Sequence, residues 1–118
     1  MIVLDSTKTI TMTVTSGSNV VSAANFVDPP STPNYKTVAS NGATPVAVID
    51  APVSGTRLVQ HIDIFNGDAS AQLVTVYFGS VQLIQRTIPA GWNMQYTTNG
   101  GWSAPTGASM NFYFPGGW

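Results

Sequence analysis

The chain has 118 residues, 43% of them hydrophobic and only 8% charged, with a formal net charge of −1. Four basic residues against five acidic ones cannot build a phosphate-neutralising surface, which excludes nucleic acid as a partner. No apolar run approaches the roughly 18 residues that cross a bilayer as a helix, so no membrane partner is expected; the absence of cysteine excludes disulfides and thiolate chemistry.

A chain of this length forms one domain, here residues 1–118. Met1 to Leu4 is followed at once by Asp5 and has no basic residue ahead of it, so no cleavable secretory signal is expected. Valine, isoleucine and threonine dominate and are punctuated throughout by glycine and proline, which is strand chemistry. Thr7 to Thr15 places threonine at every odd position and Ile10, Met12 and Val14 at even ones, predicting a half-buried strand with a hydroxyl face. Asn19 to Val27 is a second strand candidate. Asp28 to Asn34, with three prolines, should break any ladder. A short piece from Tyr35 to Ala39 leads to an Asn41-Gly42 turn, and Val46 to Asp50 is a third run.

The centre is the strongest block. Thr56 to Asn66 alternates Leu58, Gln60, Ile62 and Ile64 on one face with Val59, His61, Asp63 and Phe65 on the other. After Gly67-Asp68 come Gln72 to Phe78, a Gly79-Ser80 hairpin turn, and Val81 to Ile88. Pro89-Ala90-Gly91 then turns into Trp92 to Thr97, Asn99-Gly100-Gly101 turns again, and Ser109 to Phe114 reads as a last strand. The expected fold class is all-β, a single antiparallel β-sandwich of jelly-roll-like type. Met1 to Ser6 reads as an N-terminal arm and residues 104–118 as an aromatic C-terminal tail.

No set of residues assembles into a catalytic site, and the chain is read as a non-enzyme with no cofactor and no metal. The single histidine, His61, shares a strand face with Asp63, but no serine in a nucleophile context and no second histidine accompanies the pair. The aspartates are scattered singly near turns, where their side chains bond nearby backbone. The threonine strip is a solvent face of one strand, because the spacing an ice-binding surface needs does not recur along the sequence. Trp92, Tyr96, Trp102, Phe112, Tyr113, Phe114 and Trp118 all fall in the last quarter of the chain. Core packing is the expectation for Trp92, whereas the terminal Trp118 suits a contact with another subunit. Few charges also mean little electrostatic repulsion between copies, which suits an assembled subunit.

The opening Met1-Ile2-Val3-Leu4-Asp5-Ser6-Thr7-Lys8-Thr9-Ile10, the run Ile62 to Asn66 followed by Val74-Thr75-Val76, and the closing Ile88 to Thr97 with Gly100-Gly101-Trp102-Ser103 together resemble small tailed-bacteriophage virion proteins. The likeness is one of pattern over residues 1–103, and residues 104–118 go beyond it. It implies a structural role as capsid cement or decoration, with β-sandwich subunits grouped as homotrimers on the major capsid protein of the shell. The location implied is the capsid surface, after synthesis in the host cytoplasm. The interface candidates are Ile2, Val3, Leu4, Trp102, Phe114 and Trp118. The competing expectations are a tail or neck adaptor, and a carbohydrate-binding module that stacks sugars on Trp92, Trp102 or Trp118.

Overall fold

Short β-branched runs that alternate apolar with polar residues bury one face each. Two sheets packed face to face satisfy them all at once. In the computed structural model, which describes residues 2–29 and 33–107, this is what forms: an antiparallel β-sandwich. The strands are β1 (Ile2–Leu4), β2 (Ile10–Thr13), β3 (Val20–Val27), β4 (Pro33–Ala39), β5 (Val46–Ile49), β6 (Arg57–Asn66), β7 (Gln72–Phe78), β8 (Val81–Ile88), β9 (Trp92–Thr97), β10 (Gly101–Trp102) and β11 (Thr106–Gly107).

The larger sheet runs in the order β10-β9-β6-β3-β4, with β1 added to β6 and β11 added to β9. The smaller sheet runs β5-β2-β7-β8. Ile10, Met12, Val74 and Val76 from the small sheet meet Val20, Ile62, Ile64 and Met94 from the large one, all fully buried. Asn66 locks the end of this core: its side-chain amide donates to the carbonyls of Ser70 (2.9 Å) and Ile88 (2.8 Å), and its Oδ1 accepts from the Asp68 amide at 2.9 Å. β6 is thereby tied to the far end of β8 in the other sheet.

Several elements fall where the sequence places them, and the exceptions have physical causes. The Thr7 to Thr15 strand is shorter, because Asp5 captures Thr7. The Asp5 carboxylate accepts from the Thr7 amide at 2.8 Å and its hydroxyl at 2.6 Å, and the chain enters β2 only at Ile10. Pro33 and Asn34, expected to break the ladder, open β4 instead, opposite Val27 and Phe26. β4 is an edge strand, and its first residue needs no donor. The strict alternation expected for β6 also fails. Asn25 pairs with His61 but Phe26 pairs with Val59, so Gln60 is an extra residue bulged outward. Val59 is consequently buried in the core and Gln60 exposed, the reverse of the expected faces. The bulge lies where the partner of β6 changes from β9 to β1, and Thr98 donates from its amide to the Gln60 carbonyl there at 3.1 Å.

β1 is not a free arm. Ile2, Val3 and Leu4 pair with Val59, Leu58 and Arg57 of the same chain. The tail expected from residue 104 begins inside the large sheet, since β11 pairs with Asn93 and Trp92 of β9. The strand expected at Ser109 to Phe114 lies outside the described residues.

Candidate interaction surface

The register of each sheet decides which side chains reach its outer face. On the small sheet, Thr11 of β2 lies between Ala47 of β5 and Tyr77 of β7, and Tyr77 is followed by Gln82 of β8. In the next row Thr13 pairs with Thr75, and Thr75 with Gln85, whose amide donates to the Thr75 hydroxyl at 2.9 Å. A third row holds Leu73, 41% exposed, beside Thr87. None of these side chains carries a formal charge. The Thr7 to Thr15 strip thus contributes Thr11 and Thr13 to a mixed hydroxyl, amide and apolar face. The outer face of the large sheet is similar but holds one carboxylate, Asp63, which accepts from the Asn93 amide at 3.0 Å. His61 shares this face with Asp63, as the sequence indicates. Among the described residues no three of His, Cys, Asp and Glu come together as a metal site.

β1 of the large sheet lies near the β7–β8 hairpin of the small one. There, Ile2, Val3, Phe78 and Leu83 line a shallow apolar groove of about 310 Å³. Val81 lies beside it, opposite Phe78 across the Gly79-Ser80 turn, and is 59% exposed. Gly79 takes a φ of 60° in that turn, which L-residues with a Cβ avoid. The turn folds Phe78 and Val81 onto each other and so widens the apolar patch.

The six interface candidates divide accordingly. Ile2 and Val3 line the groove, with Val3 43% exposed. Leu4 is fully buried in the chain's own core and offers nothing to a partner. The cause is β1's pairing with β6, which turns Leu4 inward next to Arg57. Trp102 packs on buried Tyr96, with ring centroids 5.3 Å apart and tilted by 54°. It is half-buried at the rim of the core. Phe114 and Trp118 lie outside the described residues. Trp92, expected in the core, is instead 41% exposed, because it stands at the first position of β9, beyond the reach of the opposite sheet. The sequence reading missed Phe78, Val81 and Leu83. The Gly79-Ser80 hairpin was the available signal for the first two, since a two-residue turn sets its flanking residues side by side.

Two ion pairs, Arg57 with Asp28 and Lys36 with Asp50, join strand ends. Arg57 donates through Nε to Asp28 Oδ1 at 2.7 Å and through Nη2 to Asp28 Oδ2 at 2.9 Å. Its Nη1 donates to the Asp50 carbonyl at 2.7 Å, and its guanidinium lies 4.4 Å from the centre of the Phe26 ring. The hydrogen bonds from Arg57 hold the Asp28 carboxyl below its ordinary value of 3.8, against a smaller opposing effect of burial. Lys36 and Asp50 add a surface pair at 2.9 Å that joins β4 to the end of β5. These pairs clamp strand ends to each other and leave both outer faces nearly free of charge.

No family model, no curated protein and no solved structure matches this chain.

Proposed function

We propose that this chain is a non-enzymatic structural subunit that works by surface complementarity, a capsid cement or decoration protein of a tailed-bacteriophage virion. The observation that carries the reading is the uncharged outer face of the small sheet, from Ala47 and Thr11 through Tyr77 to Gln82. Burying a charge against another protein costs several kcal/mol unless it is paired. The centres of protein interfaces are accordingly depleted of charge and rich in aromatic groups. A face of hydroxyls, amides, Tyr77 and Leu73 can be covered without that penalty. The resemblance of residues 1–103 to virion proteins names the partner: the outer shell, where copies of the subunit bridge neighbouring capsomers and repeated weak contacts add up.

The test is co-sedimentation with expanded empty heads made from the same genome. The wild-type chain is expected in the pellet with the heads, and Leu73→Lys, which sets a charge on the exposed part of this face, in the supernatant with unchanged melting temperature. Wild-type protein left in the supernatant overturns the reading. Rings with sixfold or twelvefold symmetry on the particle would favour the tail or neck adaptor over cement. A second reading rests on Trp92, whose 41% exposure leaves a ring available for stacking on a sugar. Tryptophan fluorescence that shifts with added oligosaccharides would favour it.

A further inference from the structure

Asparagine stands directly before glycine at three places in this chain: Asn41-Gly42, Asn66-Gly67 and Asn99-Gly100. The pair is chemically labile, because glycine has no Cβ to keep its backbone nitrogen away from the preceding side chain. Once solvent base has taken the proton from that nitrogen, the nitrogen attacks the asparagine Cγ. The new C–N bond closes a five-membered succinimide, and the side-chain nitrogen leaves as ammonia after taking a proton from water. Water then opens the ring at either of its carbonyls. One opening leaves aspartate, and the other leaves isoaspartate, whose main chain runs through the side-chain carbon. A folded chain allows this only where the asparagine side chain is free to swing back and the glycine N–H is not held.

The three places differ on both counts. Asn66 is fully buried, and its side chain is tied to Ser70, Ile88 and Asp68. The Gly67 N–H donates to the Asn19 carbonyl at 2.9 Å, and the Gly67 carbonyl accepts from the Asn19 side-chain amide at 2.8 Å. Asn41 is exposed, but Gly42 is pinned on both sides. Its N–H donates to the Gly17 carbonyl at 2.8 Å and its carbonyl accepts from the Val14 amide at 3.1 Å. Asn99 and Gly100 are both exposed in the turn between β9 and β10. Among the described residues the Asn99 side chain makes no hydrogen bond. The Gly100 N–H donates only to the Thr97 hydroxyl, at 3.0 Å, in an exposed bond for which water competes.

We propose that Asn99 is a modification site of the folded protein, where water converts the amide to aspartate and isoaspartate, and that the fold withholds this reaction from Asn66 and slows it at Asn41. The product sets a carboxylate at the β9–β10 turn of a chain whose net charge is −1. Isoaspartate also lengthens the main chain of that turn, next to the Gly101–Thr97 pair and the contact of Trp102 with Tyr96.

The test is peptide mass spectrometry on the full chain aged in mildly alkaline buffer. Trypsin cuts after Lys36, Arg57 and Arg86, so each place falls on its own peptide, 37–57, 58–86 or 87–118, and fragmentation assigns the converted residue. In the folded chain Asn99 is expected to convert first. Asn66 should convert at least about tenfold more slowly, since it reacts only when the fold opens around it. In guanidinium chloride all three are expected to convert at similar rates. A folded chain in which Asn66 or Asn41 converts as fast as Asn99 overturns the proposal, and so does one in which Asn99 keeps its amide while the denatured chain loses it. A denatured chain that still converts Asn99 well ahead of the others overturns it too, because the order would then come from neighbours in sequence and not from the fold.

Discussion

Arg57→Ala removes the group that ties the ends of β3, β5 and β6 together, and its cost can be built from the contacts. The side chain is 15% exposed and its partner Asp28 32% exposed, so the ion pair lies partly in solvent and is discounted to about 1 kcal/mol or less. The hydrogen bond to the Asp50 carbonyl, 2.7 Å from a charged donor, adds about 1.5 kcal/mol. Stacking over Phe26 at 4.4 Å adds about 0.5 kcal/mol. The expected loss is about 3 kcal/mol, which moves a urea midpoint by roughly 2 M if the slope is about 1.5 kcal/mol per molar. Tryptophan fluorescence during urea unfolding measures it. Asp28→Asn should cost about 1 kcal/mol alone and almost nothing on top of Arg57→Ala, because the two residues share one interaction. The pH dependence supplies the sign. The folded-state value of Asp28 is lowered, so its stabilisation is complete above the ordinary value of 3.8 and disappears as the pH falls through the lower folded value. The gap between wild type and Asp28→Asn is therefore widest near neutrality and closes in acid. A loss under about 0.5 kcal/mol for Arg57→Ala, or a gap that grows in acid, would refute the reasoning.

Leu4→Ala opens a hole in the core and should cost about 2–4 kcal/mol by urea unfolding; deleting residues 1–5 should cost at least as much, and a deletion that leaves stability intact would show β1 to be dispensable. Asn66→Asp replaces an amide that donates to two carbonyls with a carboxylate that repels both, so the variant should lose about 3 kcal/mol at pH 7 and recover part of it in acid, where the carboxyl can donate once. The check is a melting-temperature profile against pH, and a flat profile contradicts the assignment. Gly17→Ala should destabilise by about 1–3 kcal/mol, since Gly17 holds a φ of 98° and a Cβ there meets the Asp68 carboxylate; Asp68→Ala in the same chain should recover the steric part and leave the backbone part.

Local pattern is legible in this sequence because alternation and turn residues act within a few positions. β7, β8 and β9 begin and end at the residues where the runs Gln72 to Phe78, Val81 to Ile88 and Trp92 to Thr97 begin and end. Ile10, Met12 and Val14 point inward as their spacing requires. The all-β class and the sandwich follow from the same signal, since so many half-apolar strands have no other way to bury their faces. What the tertiary structure decided is set by partners distant in the chain. Gln60 leaves the core and Val59 enters it only because β6 changes partner from β9 to β1 at that point. Trp92 has the composition of a core residue, yet it stands past the end of the opposing sheet. Leu4 looked like part of an arm and became core because Arg57 opens a strand beside it. The uncharged outer face of the small sheet likewise depends on which strands lie side by side, and strand order is written in no single segment.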